Sequence, residues 1–226
     1  WRYLKEQPYS WEVIISDDGS LDNSFQLAAE FSKRHLGFRV LKNKHGGKPW
    51  AVWKGIEAAR GEIILFTDMD QSTPIKESAK LLPWFKKDYD IVIGSRGKVR
   101  KDAPLLRKLM SFGFLTFRRI FLLPDIIDTQ CGFKMFRRKV ALEVFPKLQF
   151  FQEIGKEVRG WKVSAFDVEV LFIAKKWGYK VKEVLVEWQD RDIAKGKKKN
   201  FLKESKEMAK EIFRVKINDL RGRYKK

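Results

Sequence analysis

The chain carries one cysteine, Cys131, and two histidines, His35 and His45, in 226 residues. A single cysteine excludes an intramolecular disulfide and fits a reducing compartment. The histidines stand apart without metal-ligand spacing, and Cys131 has no histidine nearby in sequence, so a packed thiol is a better reading than a nucleophile. Gly46-Gly47-Lys48 lacks the spacing Gly-x4-Gly-Lys-Ser/Thr and is not a P-loop. No Gly-x-Gly-x-x-Gly follows a strand, which leaves dinucleotide binding unsupported. Long apolar runs are missing too. The longest uncharged run in the Leu- and Phe-rich stretch 104–123 is Leu109 to Phe117, far below the ~20 residues that span a bilayer. Nothing resembles a signal peptide.

Negative charge is scarce: 29 acidic residues face 48 basic ones, for a formal charge of +19 and a pI near 9.9. That balance raises nucleic-acid binding as one reading. No RNP, helix-turn-helix or zinc pattern accompanies it, and many aromatics lie in apolar runs that suit packing, so no nucleic-acid partner is expected. Hydrophobic content of 44% supports a substantial core and rules out a disordered basic tail. The length allows one large domain, or one domain plus an appendage; the very basic loop that opens at Arg191 places the division at 1–190 and 191–226.

The stretch from Glu62 to Pro74 organises the rest. Ile63, Ile64, Leu65 and Phe66 form a continuous apolar run between two helical segments, as in a parallel strand covered on both faces. Asp68 and Asp70 follow at its carboxyl end, the edge where open α/β sheets bind ligands. Two carboxylates one residue apart can converge on a hard divalent cation that keeps positions for water and phosphate. Solvated loop caps are the alternative.

Around this centre, residues 11–16 read as a strand ending in the turn Asp17-Asp18-Gly19-Ser20. A helix is expected over 21–35, with Phe25, Ala28, Ala29 and Phe31 available for the core. A short strand over 38–41, a glycine-bearing basic loop over 43–48 and a helix over 49–60 precede the central strand. A helix over 75–85 and a strand over 90–93 leading to Gly94-Ser95-Arg96 follow it. This alternation predicts a doubly wound α/β layer. The stretch 104–123 reads either as an interfacial or substrate-covering helix or as a core helix with snorkelling ends. Asp128 to Lys134 is a polar turn entering a short strand. Residues 166–177 read as a helix opening with Asp167 and Glu169, and 179–188 as a strand. A very basic loop, 191–199, leads to a helix over 201–220 with Leu202, Met208, Ile212, Phe213 and Ile217 on its apolar side. A basic amphipathic helix reads as an element for an anionic membrane surface or a partner, with a solvated outer helix as the alternative. Lys48 supplies a point charge suited to phosphate, and Arg96 ends a strand near where a diphosphate would lie.

The chain carries, in order, Asp-Asp-Gly-Ser-x-Asp (17–22), Gly-Gly-Lys-x-x-Ala-Val-x-x-Gly-Ile (46–56), Ala-x-Gly-Glu (59–62), the Asp-x-Asp strand, Gly-Ser-Arg, Asp-Thr-Gln-Cys-Gly-Phe-Lys and Phe-Asp-Val-Glu. These runs, in this order, resemble family 2 glycosyltransferases of the GT-A fold. Within that family the chain looks most like dolichyl-phosphate glucosyl and mannosyl synthases. The resemblance implies a mixed, mostly parallel sheet flanked by helices, with a basic amphipathic C-terminal helix. It also implies inverting transfer of a hexose from a nucleotide-sugar donor, UDP-glucose or GDP-mannose, to a polyprenyl or dolichyl phosphate acceptor. A glycan or other lipid acceptor, or a non-catalytic membrane-surface module, is the alternative.

By position, Asp17 and Asp18 would contact the base and ribose, with Lys48 beside the nucleotide sugar. Asp68 and Asp70, with Gln71 as a candidate third ligand, would hold Mg2+ or Mn2+ against the diphosphate. Arg96 would bind a phosphate of acceptor or donor, and Arg191 and Lys197 would belong to a loop over the acceptor phosphate. Asp167 stands where related inverting enzymes place a general base, and with Asp70 completes the expected catalytic set. The implied location is peripheral, on the cytoplasmic face of a membrane. Three departures mark the chain. Gly47-Lys48-Pro49 replaces the usual Gly-Lys-Gly, and Gln71 directly follows Asp70 where relatives carry Asp-x-Asp-x-Gln. The family's opening strand is absent before Trp1, so the chain is expected to be a fragment of a longer enzyme.

Overall fold

The structure is a computed structural model, and it describes residues 1–97, 122–152, 166–189 and 201–226. Two compact units divide the chain: Trp1–Ile64 with Phe136–Lys162, and Leu65–Met135 with Val163–Lys226. The expected division at 190/191 falls at residues outside those described.

In the first unit, β1 (Val13–Asp17), α1 (Ser24–Arg34) and β2 (Phe38–Lys42) form a strand-helix-strand unit. The strands run parallel from Val13↔Phe38 to Asp17↔Lys42, and α1 provides the crossover that parallel pairing requires. No residue of α1 is buried, contrary to the core role expected of Phe25, Ala28, Ala29 and Phe31. Phe31 meets Phe38 edge-on at 5.1 Å yet stays 39% exposed. Helix α2 (Lys48–Ala58) carries Pro49 at its start, where the missing N–H needs no partner. A helix unread in the sequence, α4 (Arg138–Val144), buries Val140, Ala141 and Val144. Arg138 ties it to the chain before the central strand, its backbone N–H donating to the Glu62 carbonyl and its Nε to that of Ala59, both at 2.7 Å. A further helical turn, α5, spans Gln149–Gln152.

A second sheet has the order β3 (Ile63–Thr67), β5 (Phe133–Arg137), β4 (Ile91–Ser95), β6 (Val181–Leu185). β4 and β6 are parallel, from Ile91↔Val181 to Ser95↔Leu185. In the second unit every residue of β4 is buried, and so is each residue of Phe166–Ala174 in α6 (Phe166–Lys176). A helix apolar all round belongs in a core, and this one takes Asp167 and Glu169 in with it. The helix expected over 75–85 is broken into a 3-10 turn (Ile75–Glu77), one α-turn, α3 (Ser78–Leu81), and a second 3-10 segment (Leu82–Lys87). Pro83 has no N–H for the carbonyl four residues back, and its ring crowds that turn.

The last helix, α7, spans Phe201–Leu220. Its single expected apolar side splits in two. Ile212, Val215 and Asn218 are buried, whereas Phe213, Ile217 and Leu220 are 51%, 44% and 76% exposed. The two rows run i, i+3, i+6 and i, i+4, i+7, so they occupy adjacent strips of the helix surface. Beyond α7, the buried Tyr224 hydroxyl donates to Glu169 Oε1 at 2.5 Å and Asn218 Nδ2 donates to that hydroxyl at 3.3 Å. Among the described residues no helix is long and apolar enough to cross a membrane. The helix expected over 104–123 lies outside the described residues except for Leu122 and Leu123, both buried.

Candidate active site

β3 ends at Thr67, and the chain turns through Asp68, Met69, Asp70 and Gln71. Asp70 accepts the Ser72 N–H at 2.8 Å, a local turn closure. Gln71 adopts φ 50, a left-handed conformation uncommon for a residue with a Cβ and of the sort that gathers at ligand sites. Its backbone N–H and its side-chain Nε2 both donate to the Asp68 carbonyl, each at 3.2 Å. The amide group expected on a metal is thus turned to the backbone. Asp68 and Asp70 line the same open polar hollow, together with Thr67, Ser72, Thr73, Gly132 and Trp188. Two carboxylates beside open space suit Mg2+ or Mn2+, which bind through one or two carboxylates plus substrate phosphates. Among the described residues no group of three or more His, Cys, Asp and Glu side chains is placed to hold a metal.

The segment after β6 closes one side of this hollow. Gln189 N–H donates to the Ser72 carbonyl at 2.8 Å and Glu187 N–H to Glu77 Oε2 at 2.9 Å. Glu77 is buried and also accepts Lys80 Nζ at 2.6 Å. These bonds set Trp188 beside the two aspartates.

Arg96, at the end of β4, is a fixed cation. It grips Asp128 with Nε on Oδ2 at 2.7 Å and Nη2 on Oδ1 at 2.8 Å, and its backbone N–H reaches Oδ2 at 3.0 Å. Burial opposes ionisation of Asp128, but the bonds and opposite charge of Arg96 outweigh it and hold the carboxyl at about 2. Burial likewise works against the Arg96 charge, and Asp128 reverses the balance and raises it. The guanidinium also lies 5.6 Å from the centre of the Trp188 ring, a cation–π placement. Glu183 of β6 steadies the loop, its two carboxylate oxygens accepting the N–H groups of Ile127 and Asp128 at 2.8 and 2.7 Å. Cys131 is buried, 3.8 Å from the Thr73 hydroxyl, and burial pushes its thiol up, as a packed thiol requires.

Asp167 lies in the first turn of α6, where a helix favours negative charge. It accepts Lys134 Nζ at 2.6 Å, and the same ammonium donates to the Cys131 carbonyl at 2.5 Å. Asp128, Gly132 and Lys134 therefore each meet a different expected site residue, although the sequence assigned the run 128–134 no chemistry. Its density of motif residues was the available signal.

In the first unit, Asp17 is occupied by its own turn and Asp18 by the glycine loop of residues 45–47. Asp17 Oδ2 accepts the N–H groups of Gly19 and Ser20 at 3.0 and 3.1 Å. Asp18 accepts those of Gly46 and Gly47 at 2.9 and 2.8 Å and lies 3.0 Å from His45 Nδ1. Lys48 is exposed at the first position of α2. Gly19, at φ +78, comes so close to this loop that an added Cβ would sit 3.0 Å from the His45 nitrogen. Arg191 and Lys197 lie outside the described residues.

The family model for glycosyl transferase family 2 matches residues 1–145. The chain belongs to glycosyl transferase family 2. It is 35% identical over 234 residues to the dolichyl-phosphate beta-glucosyltransferase of Dictyostelium discoideum, covering 98% of this chain and 67% of the relative. The Saccharomyces cerevisiae enzyme of the same name is 32% identical over 246 residues (99% and 70%), and the Homo sapiens enzyme 31% over 210 residues (86% and 60%). The chain thus spans 60% to 70% of the length of these three relatives. Mannosyl-3-phosphoglycerate synthase from Rubrobacter xylanophilus superposes with a TM-score of 0.61 at 14% identity, over 97% of this chain and 67% of that one. Glucosyl-3-phosphoglycerate synthase from Mycobacterium tuberculosis, solved with Mn2+, UDP and phosphoglyceric acid, gives 0.56 at 17% identity over 94% and 67%. These likenesses show the GT-A fold, in which mixed α/β sheets are flanked by helices, and family 2 membership makes the chain a glycosyltransferase.

Proposed function

We propose that this family 2 glycosyltransferase moves a glucosyl group from UDP-glucose to the phosphate of dolichol or a related polyprenol. The names of the relatives support the glucosyl group and the acceptor. UDP-glucose is an α-linked donor, and a β-linked product requires inversion. An acceptor phosphate oxygen attacks the anomeric carbon, a new carbon–oxygen bond forms, and the bond to the diphosphate breaks with its electron pair leaving on UDP. A phosphomonoester has its second pKa near ~6 and is largely deprotonated at neutral pH. The nucleophile therefore needs orientation more than a base, which suits Asp167, a carboxylate already held by Lys134.

Asp68 and Asp70 are the residues to hold Mg2+ or Mn2+. Bound there, the ion supplies Lewis acidity toward the departing diphosphate. Arg96, immobilised by Asp128, offers a fixed positive charge to a phosphate. Asp17 and Asp18 shape the turn assigned to the nucleoside, Lys48 contributes a point charge, and Arg191 and Lys197 are assigned to the acceptor phosphate. The basic helix α7 is assigned to an anionic membrane surface, on its cytoplasmic face.

The observation that carries this reading is that Asp68 and Asp70 line one open polar hollow. Calorimetric titration with UDP-glucose and GDP-mannose, with and without Mn2+, tests it alongside transfer of labelled sugar to dolichyl phosphate. Metal-dependent binding of UDP-glucose that Asp70→Ala abolishes, with label passing into the lipid phase, is expected. Binding indifferent to metal and to Asp70→Ala would overturn it. Preference for GDP-mannose, or transfer only to a glycan, would reassign donor or acceptor.

A further inference from the structure

Gly132 stands directly before β5, and its carbonyl accepts the Asp68 N–H at 3.3 Å. The two residues are therefore neighbours where β3 and β5 meet the hollow. Gly132 is not among the glycines with positive φ, so backbone freedom does not explain it. Space does. A Cβ built on Gly132 would lie 1.9 Å from Asp68 Oδ2, 2.6 Å from Cγ and 3.1 Å from Oδ1. The Asp68 carboxylate lies over the bare Cα of residue 132. A glycine at a strand end often marks such a close approach. At no other glycine among the described residues would an added Cβ come that close to a neighbour.

The geometry points to Gly132 as the positioning residue for Asp68: the absent side chain selects the carboxylate orientation that faces the hollow. This deepens the metal-site reading given above and rests on it for its functional consequence. The steric relation itself depends only on the positions of the two residues. With alanine at 132, either the carboxylate must swing away by more than an ångström or β5 must shift. The rigid partners of β5 make the first the easier route: Phe133 is fully buried, and Lys134 is fully buried and doubly hydrogen-bonded.

The test is a cycle of Gly132→Ala, Asp68→Ala and the double variant, read in two ways. Mn2+ affinity is measured by electron paramagnetic resonance, with the metal alone and with UDP, and thermal unfolding gives the midpoint. Gly132→Ala is expected to weaken Mn2+ at least tenfold in the Asp68 protein and to lower its midpoint. In the Asp68→Ala background the same substitution is expected to cost little, since Cγ and both oxygens are gone. Equal midpoint losses in both backgrounds, or Mn2+ affinity in Gly132→Ala within twofold of the unsubstituted protein, would overturn the assignment. If Gly132→Ala fails to fold, folding of the double variant supports the steric relation and failure of both overturns it. Should Asp68→Ala alone leave Mn2+ affinity unchanged, the metal reading falls, and the midpoint comparison still decides whether Gly132 orients Asp68.

Discussion

Lys134 Nζ lies 2.6 Å from Asp167 Oδ1, with the lysine side chain wholly buried and the aspartate side chain 9% exposed. Each charge is out of water and answers the other. The ammonium spends a second proton on the Cys131 carbonyl, so the pair is bonded to the backbone as well as to itself. Removing one member of such a pair costs more than removing both. Lys134→Met is expected to destabilise the protein by about 3 kcal/mol, and Lys134→Met with Asp167→Asn to recover much of that loss. Urea denaturation of the three proteins measures both. A double variant no more stable than Lys134→Met would show that the two charges do not depend on one another.

Asp167→Asn keeps the shape of the side chain and removes its charge. Turnover is expected to fall about tenfold or more while UDP-glucose still binds in the presence of Mn2+. Unchanged turnover per folded molecule would take Asp167 out of the proposed active site.

The Arg96–Asp128 pair makes stability depend on acidity. The folded carboxyl sits at about 2 against an ordinary 3.8, so the folded state holds its proton less well than the unfolded chain. The stabilisation is complete above pH 3.8 and is lost as the pH falls through 2. It amounts to roughly 2 kcal/mol. Asp128→Asn is expected to lose about that much at pH 7 and to flatten the fall in stability between pH 4 and pH 2. An acid limb of unchanged slope would contradict this.

Tyr224 anchors the C-terminal end of the chain to α6. Burial, reinforced by the Glu169 carboxylate, raises its phenol, so one of the five tyrosines is expected to stay protonated while the others ionise. Ultraviolet absorbance during alkaline titration reads this directly. Tyr224→Phe leaves Glu169 without that donor and is expected to cost about 1–3 kcal/mol. A loss confined to a few tenths would show the carboxylate satisfied by other partners.

On α7 the exposed row Phe213, Ile217 and Leu220 has Lys210 and Lys216 on its flanks. Replacing the three apolar residues with serine is expected to weaken flotation with phosphatidylserine vesicles about tenfold or more without lowering the unfolding midpoint. Salt should weaken it further. Undiminished flotation would move the membrane contact to another part of the chain.

How much of this could be read from sequence depends on how local the cause is. α7 was legible to its ends because its apolar period continues over five turns, and β3 because four apolar residues lead straight into two acids. That Asp68 and Asp70 follow β3 and line one hollow was legible for the same reason: their placement is set by neighbouring positions. The helix over 75–85 was over-read, since Pro83 outweighs an otherwise helical pattern. The burial of α1 was over-read because apolar spacing states which residues share a face and not whether anything covers it. The braces of the site were out of reach. Arg96 and Asp128 are separated by 32 positions and Lys134 and Asp167 by 33, and no spacing along a chain reports which strands will lie side by side. Gly132 was visible as part of a motif, but its use depends on a carboxylate from another strand.

The interleaving of the two units bears on how the chain can be made. Residues 1–64 belong with Phe136–Lys162, and Leu65–Met135 belongs with Val163–Lys226. During synthesis neither unit can close until a segment from the later half has left the ribosome, so early residues wait as unfinished surface exposed to association. Cutting the gene anywhere within residues 65–162 would sever both units at once. Co-expression of complementary pieces, rather than isolation of either, is the arrangement this connectivity favours.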